Sequence, residues 1–395
     1  MMRHFFHNKL IWAGLGLIVL ITTIFTFAFM GSTVNPTPVE LPIAVVVEDE
    51  GAILPNGESM NIGETLLTEL KKNESKEVKW HFLSRQEAFE AMNNKEMYAT
   101  LSLPVDFSRS IISLTDENSD VPTATIIINE GLNFTGANIA TTIATNVVTN
   151  LNQQVQTQLF QQIEALKVPL STELALQLAN PITIKTDEVN NVAANNANGN
   201  TPAIFTQLLW LATFFASMTL YTLIKKETGG TWSASSLVSQ LLAGILFVAA
   251  LSAVTLFLST QVLKVSVPNI GEFYMLLLFI GLCFFFIQNA LLNWIGYPAA
   301  PLFILLLFFS MPIMTLAPEL LPPVTRDFLY SWVPFRFTVD SLQDYLFFKK
   351  ELFANGVGAI GIIGLISLLV MELAIFKPVN GRKKDKKLKE QPIHQ

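Results

Sequence analysis

Long apolar runs punctuate this chain, and one extended polar stretch separates the first from the rest. A helix crossing the roughly 30 Å hydrocarbon layer of a bilayer needs about 20 apolar residues. Six runs come near that length: Leu10–Met30, Ala203–Ile224, Leu237–Leu263, Phe273–Leu292, Ala299–Leu316 and Val357–Phe376. Only the stretch NWIGYPAAP stands between the fourth and fifth, where Asn293, Gly296 and Pro298 supply a turn. Read as one, those two would be roughly twice the length of a span, too long for any bilayer. The first run reads as a cleaved signal or a retained anchor. Its apolar core exceeds the about 7–15 residues of a signal peptide and no small-x-small site follows, so an anchor is expected.

The polar stretch, residues 31–202, carries the alternation of a half-buried sheet. Ile43 to Val47, VKWHFL, MYATLSL and TATIIIN read as four strands, with helices between them. NIGETLLTELKK places Ile62, Leu66, Leu67 and Leu70 on one helical face, and Ser84-Arg85-Gln86-Glu87 spells a capping box. Pro104 closes the third strand, and Asp106 is the expected N-cap of the helix that follows. Strands alternating with helices predict an α/β layer with largely parallel pairing. From Gly136 to Leu166 an apolar residue recurs every fourth position, at Ile139, Ile143, Val147, Leu151, Val155, Leu159 and Ile163. Such a helix, about 45 Å long, either packs on its own domain or forms a stalk or dimer contact. A short helix over Ser171–Leu178 and the linker NNVAANNANGN lead back to the apolar runs.

Composition agrees with a membrane protein carrying a polar insert. Of 395 residues, 51% are hydrophobic and 14% charged, against about a quarter charged in soluble domains. Residues 31–202 hold 21 acidic against 9 basic side chains, which argues against a polyanion partner such as nucleic acid. Arg3, Lys9, Lys225, Lys226 and the cluster Arg382–Lys389 fall on one side if six spans are drawn, and that side is the cytoplasm by the positive-inside rule. The expected layout is a cytoplasmic N-terminus (1–9), an anchor (10–30), and an extracytoplasmic α/β and helical domain (31–202). A five-helix transmembrane domain (203–376) with an outer interfacial segment (317–355) and a basic cytoplasmic tail (377–395) follow. The single cysteine, Cys283, lies in an apolar run, so an outside domain would hold no disulfide, as suits a Gram-positive cell surface.

Catalytic chemistry is absent from the pattern. No G-x-x-x-x-G-K-[ST] occurs, so ATP hydrolysis would require another chain. His4, His7, His81 and His394 lack metal spacing, and Glu48-Asp49-Glu50 and Asp187-Glu188 read as solvated strand ends before weak cation sites. No cofactor is expected. The spans carry no mid-bilayer charge of the kind that proton coupling needs. Gln288, Asn289 and Asn293 form a polar cluster, either hydrogen-bonding between helices or lining a substrate path. Lys225 to Ser235, with Lys226, Thr231 and Trp232, joins two spans on the cytoplasmic side and is either a plain loop or a docking site for an ATPase. The aromatic-rich stretch Thr325–Phe353 would lie at the outer interface, capping a lateral path or anchoring to lipids.

The series IAVVVEDEGA, SRQEAFEAM, MYATLSLPVDFSRSI and TATIIINEGLN, then a long helix and five clustered spans, resembles the YhgE/Pip group of bacterial membrane proteins. More broadly it is similar to the type-2 membrane domains of ABC exporters that carry an extracytoplasmic insert. The most specific part is the strand followed by Pro104, Asp106, Phe107 and Ser108, whose role is structural. Pro322-Pro323 and Trp332-Val333-Pro334 resemble the outer segment before the last exporter span. The resemblance implies an α-helical membrane protein with six transmembrane helices and an α/β extracytoplasmic domain plus long helix between spans one and two. It implies a permease subunit, itself no enzyme, exporting an amphipathic molecule or peptide with a separate ATP-binding-cassette ATPase, and working as a homodimer or heterodimer. The alternative is a non-transporting surface protein serving as a phage receptor or a secretion-associated scaffold.

Overall fold

The computed structural model describes residues 37–54, 59–73, 75–115, 121–166, 172–323, 325–352 and 355–378. The expected anchor over 10–30 and the tail beyond Pro378 lie outside the described residues. The chain divides into two compact units. One runs to Asn200 and includes Thr315–Ser331; the other comprises Thr201–Met314 and the chain from Trp332.

The first unit is built on a five-stranded sheet of order β4-β1-β5-β6-β7. Its strands are β1 (Leu41–Val47), β4 (Val78–Phe82), β5 (Ala99–Leu103), β6 (Thr123–Asn129) and β7 (Thr183–Val189). A two-residue pair, β2 (Ala52–Ile53) with β3 (Ser59–Met60), stands apart. β1 pairs in parallel with both β4 and β5, Ile43 lying opposite Trp80 and Ala99. β6 runs antiparallel to β5, with Leu101 opposite Ile126, and β7 is parallel to β6. The sheet is therefore mixed, where largely parallel pairing was expected. A parallel return requires a crossover long enough to retrace the strand. The only α-helix described between β5 and β6, α3 (Phe107–Ile112), has six residues, about 9 Å against the roughly 17 Å of β5.

Helices α1 (Ile62–Lys72), α3, α4 (Phe134–Leu166) and α5 (Thr172–Ala179) cover one face. Leu101, Leu103, Phe107, Ile126, Val148 and Leu151 form the core there. Each such side chain contributes about 1.5–3 kcal/mol on full burial. The long helix α4 packs on its own sheet, and its seam winds as a four-residue spacing must on a 3.6-residue helix. The first turns bury Ala137, Ala140 and Ala144, with Ile139 and Ile143 at the flank; later turns bury Leu151, Val155 and Leu159. On the other face α2 (Arg85–Asn93) sets Ala88, Ala91 and Met92 against Ala44 and Val46. Its Ser84–Glu87 capping box is formed, the Ser84 N–H donating to Glu87 Oε2 at 2.9 Å.

The expected interfacial segment 317–355 is divided. Thr315–Ser331 belongs to the α/β unit, where Ala317 and Leu320 are buried beside Leu41, Ile43 and Tyr98. Val39 N–H donates to the Glu319 carbonyl at 3.0 Å, and Tyr98 Oη to the Glu319 carboxylate at 2.7 Å.

The second unit contains α6 (Thr201–Thr228), α7 (Ala234–Phe257, continued by a π-helical turn to Val262), α8 (Ile270–Ile295), α9 (Ala299–Thr315, its last residue counted with the first unit), α10 (Pro334–Leu346) and α11 (Asn355–Glu372, continued to Phe376). Among the described residues four helices are long and apolar enough to cross a membrane: Thr201–Thr228, Ala234–Val262, Ile270–Ile295 and Gly356–Phe376. Ala299–Thr315 is apolar but has 17 residues, about 26 Å of helix. The break expected between the fourth and fifth runs is present at Gly296, whose φ of +84° ends α8. Helices α7 and α11 are mostly uncovered, whereas α8 is the most enclosed of the four. Small residues let the helices approach: Gly244 faces the Phe285 ring, Gly281 faces Val248, and Gly364 faces Cys283.

Candidate functional site

The helical unit gathers its polar side chains into one buried network. Asn289 and Asn293, a turn apart on α8, face Gln240 of α7, while Gln288 faces α6. Gln240 Nε2 donates to Asn289 Oδ1 at 2.7 Å and to Asn293 Oδ1 at 3.2 Å, and Asn293 Nδ2 donates to Gln240 Oε1 at 2.9 Å. Ser217 of α6 donates to Gln288 Oε1 (3.1 Å) and accepts from Asn289 Nδ2 (2.8 Å). Gln288 Nε2 donates to the Trp210 carbonyl at 3.0 Å. An unpaired amide in an apolar interior costs several kcal/mol, and every amide of this network is engaged. Trp210 continues the assembly, its ring meeting Phe335 edge-on at 4.7 Å and Phe284 at 5.1 Å. The three residues expected from sequence are thus together. Their partners Ser217 and Gln240 were missed, although Gln240 is an amide one turn into its apolar run and that placement was the available signal.

At the α6–α7 turn the residues expected for docking separate into two groups. Gly229 and Gly230 have positive φ, and a Cβ on either would meet nothing within 4 Å, so the turn projects. Lys226 and Thr231 are exposed there, and Thr231 Oγ1 donates to the Thr228 carbonyl at 2.8 Å. Lys225 and Trp232 turn the other way. Lys225 Nζ lies 4.5 Å from the Tyr297 ring centre and 5.5 Å from that of Tyr221, a cation–π arrangement. The Trp232 ring lies 6.1 Å from Tyr221. These side chains, with Gly296 and Lys377, line a cavity of about 280 Å³. Lys377 Nζ donates to the carbonyls of Asn293 (2.9 Å) and Trp294 (2.8 Å), at the negative end of the α8 dipole. Burial and the nearby Lys225 charge hold the Lys377 ammonium below the usual lysine value. Tyr221, Tyr297 and Lys377 carry no local signal in the sequence, because they come from three separate segments: the last turns of α6, the turn after α8 and the end of α11.

Elsewhere in this unit Tyr345 Oη lies 3.0 Å from Glu272 Oε2 and 3.1 Å from the Asn269 carbonyl. Burial and the Glu272 carboxylate push that hydroxyl up to about 12.

In the α/β unit the Pro104-to-Ser108 motif has a structural explanation. Phe107 is fully buried in the core and Ser108 is buried beside it. Asp106 occupies the N-cap position of α3, but its side chain makes no capping bond, contrary to the sequence expectation. Asp49 supplies it instead: its carboxylate accepts the Ser108 N–H (3.0 Å) and hydroxyl (2.5 Å), and also the Gly63 N–H (3.0 Å) in the first turn of α1. Among the described residues no three His, Cys, Asp or Glu side chains gather as a metal site. The sheet face left open beside α2 forms a cavity of about 480 Å³ bordered by Phe89, Thr100, Ser102, Thr125 and Lys185.

Membrane-length helices packed through a buried amide network, in a chain that also holds a mixed α/β unit, define a multi-pass membrane protein. The family described as ABC-2 family transporter protein matches residues 9–376, and the chain belongs to that family. Over 125 residues it is 30% identical to the "Uncharacterized protein YhgE" of Bacillus subtilis (strain 168). That alignment covers 31% of this chain and 16% of the relative, so the chain spans only a small part of that protein's length. No solved structure matches. The YhgE-like, ABC-2 permease-type character read from the motifs therefore holds.

Proposed function

We propose that the chain is the permease subunit of an ABC-type exporter, moving an amphipathic molecule or peptide with energy from a separate ABC ATPase. Family membership across residues 9–376 carries this reading, and the lack of a P-loop sequence makes a second chain necessary for ATP-driven work. The α6–α7 turn is the docking element. Its Lys226 and Thr231 project beside two glycines that meet no neighbour, which leaves the backbone open to a partner surface. In this reading the turn and both termini are cytoplasmic, residues 31–202 are outside, and the permease works as a dimer.

The test is affinity purification from native membranes, comparing the unaltered chain with a Lys226→Glu/Thr231→Arg variant. The expected result is an ATPase that accompanies the first and is lost with the second. If no ATPase accompanies either, and deleting the gene changes only phage adsorption or protein secretion, the reading as a non-transporting surface receptor or scaffold takes its place.

A further inference from the structure

The cavity at the ends of α6, α8 and α11 has a composition that the docking role does not use. It brings Lys225 and Lys377 into one space of about 280 Å³ walled by Tyr221, Trp232 and Tyr297. Among the described residues no carboxylate lies within ion-pair distance of either lysine. Lys225 meets only ring faces and Lys377 only helix-terminal carbonyls. Two half-buried ammonium groups facing one cavity repel each other, and burial first, then the Lys225 charge, lowers the basicity of Lys377. An anion placed between them removes the repulsion and gains charge-assisted hydrogen bonds.

Location decides which anion. The cavity lies where apolar helices end, next to the exposed Trp294 and Tyr297, the aromatic types that sit at the headgroup level of a bilayer. Basic pockets between transmembrane helices take anionic lipid headgroups. A volume of about 280 Å³ is at the small end of ligand sites, which run about 300–1,000 Å³, and suits a headgroup whose acyl chains remain in the bilayer. Gly296 keeps the cavity open: a Cβ there would sit 3.0 Å from Tyr221 Oη.

We infer that this cavity binds the phosphodiester headgroup of an anionic phospholipid, with Lys225 and Lys377 contacting the phosphate and Tyr221, Trp232 and Tyr297 walling the glycerol. The site fastens α6, α8 and α11 together at the membrane surface and goes beyond the permease assignment, since it requires no ATPase.

The experiment uses full-length protein in detergent, exchanged against dioctanoyl-phosphatidylglycerol, dioctanoyl-phosphatidylcholine or inorganic phosphate, with retained ligand counted by native mass spectrometry. Retention of one phosphatidylglycerol per chain is expected, weakened at least tenfold in Lys225→Gln/Lys377→Gln and unchanged in Lys349→Gln, an exposed lysine of the helical unit that does not line the cavity. Equal retention of phosphatidylcholine, or undiminished binding by the double variant, overturns the inference. Binding of inorganic phosphate at the same concentration as the lipid replaces a headgroup site by a free-anion site and also overturns it. Thermal unfolding of the unaltered protein covers the case in which the double variant does not fold. Phosphatidylglycerol must then raise Tm above the value in phosphatidylcholine, and equal Tm values in the two lipids overturn the site.

Discussion

The Asp49 carboxylate, just beyond β1, holds both the backbone N–H and the hydroxyl of Ser108, at 3.0 and 2.5 Å, across 59 positions of sequence. Ser108 Oγ in turn accepts the Ile62 N–H at 2.9 Å. Two residues therefore accept free N–H groups at the start of two helices, Ile62 and Gly63 of α1 and Ser108 of α3, while Asn61 caps Glu64 of α1. Free donors at a helix start must find partners when buried, and an acidic side chain there also meets the positive end of each dipole.

Replacing Asp49 with Ala leaves donors unpaired at both helix starts, whereas Asn keeps one acceptor oxygen and can serve only one of them. A charge-assisted hydrogen bond contributes about 1.5–3 kcal/mol, so Asp49→Ala is expected to cost roughly 2–4 kcal/mol. Ser108→Ala costs less, and the double variant costs less than the sum because the two share bonds. Limited proteolysis of the full-length protein under increasing urea measures this. Sensitivity unchanged by Asp49→Ala would remove Asp49 from its role.

Much of this was legible in sequence, and the misses have physical causes. The capping box at Ser84, the end of β5 at Pro104 and the break at Gly296 follow from local chemistry and are where the sequence puts them. β7 was not anticipated because, as an edge strand, it needs only one aliphatic per face. Ile184 and Val189 provide these, among Lys185, Asp187 and Glu188. The cap from Asp49 was hidden because its partner lies far along the chain, while Asp106 has the right type at the adjacent position and bonds nothing there. In the helical unit Gln288, Asn289 and Asn293 stood out as polar residues in one apolar run, but a single run does not identify its partner helices. The positions of Ser217 and Gln240 depend on how three helices pack.

Removing the Gln240 amide tests what the membrane network does. Gln240→Leu deletes its bonds to Asn289 and Asn293. Interhelical hydrogen bonds in membranes average about 0.6 kcal/mol each, so a loss of roughly 1–2 kcal/mol is expected. If the amides serve only to hold helices, transport per folded molecule stays unchanged in reconstituted vesicles. A fall in transport without a fall in Tm would assign them to the substrate path.

His81 on β4 gives the α/β unit a pH dependence. Burial, and next the Lys79 charge, lower its pKa below the usual value near 6.5. Its neutral form is therefore favoured by folding, and the unfolded chain binds the proton more readily. The contribution is fully present above about pH 6.5 and is lost as pH falls toward the lower folded value. Proteolytic resistance of the α/β unit should decline between pH 7 and 5, and His81→Gln should flatten that decline. An identical profile in the variant would place the acid sensitivity elsewhere.

Gly296 joins α8 to α9 with φ +84° and ψ −154°, a region that side chains rarely adopt. A Cβ would also crowd Tyr221 Oη. Gly296→Ala is expected to destabilise the helical unit by about 1–3 kcal/mol, the usual cost of such backbone strain. A fall in detergent Tm measures it; Ala300→Gly, within α9, should cost only about 1 kcal/mol. Equal effects of the two changes would mean that the turn tolerates a side chain.

Orientation follows from two thiols. Cys283 is buried in the helical unit, so the native chain should stay silent to a membrane-impermeant maleimide. Lys76 is exposed on the α/β unit and Lys226 is exposed at the α6–α7 turn. With residues 31–202 outside and the turn in the cytoplasm, Lys76→Cys reacts in intact cells and Lys226→Cys reacts only after permeabilisation. The reversed pattern would turn the protein over in the membrane and remove the α6–α7 turn from reach of a cytoplasmic ATPase. Labelling of both in intact cells would place an even number of crossings between them, where the six-span arrangement has the single helix α6, and would end that arrangement. The first pattern keeps the positive-inside bias of Lys225, Lys226 and Lys377, together with a docking turn on the side where ATP is found.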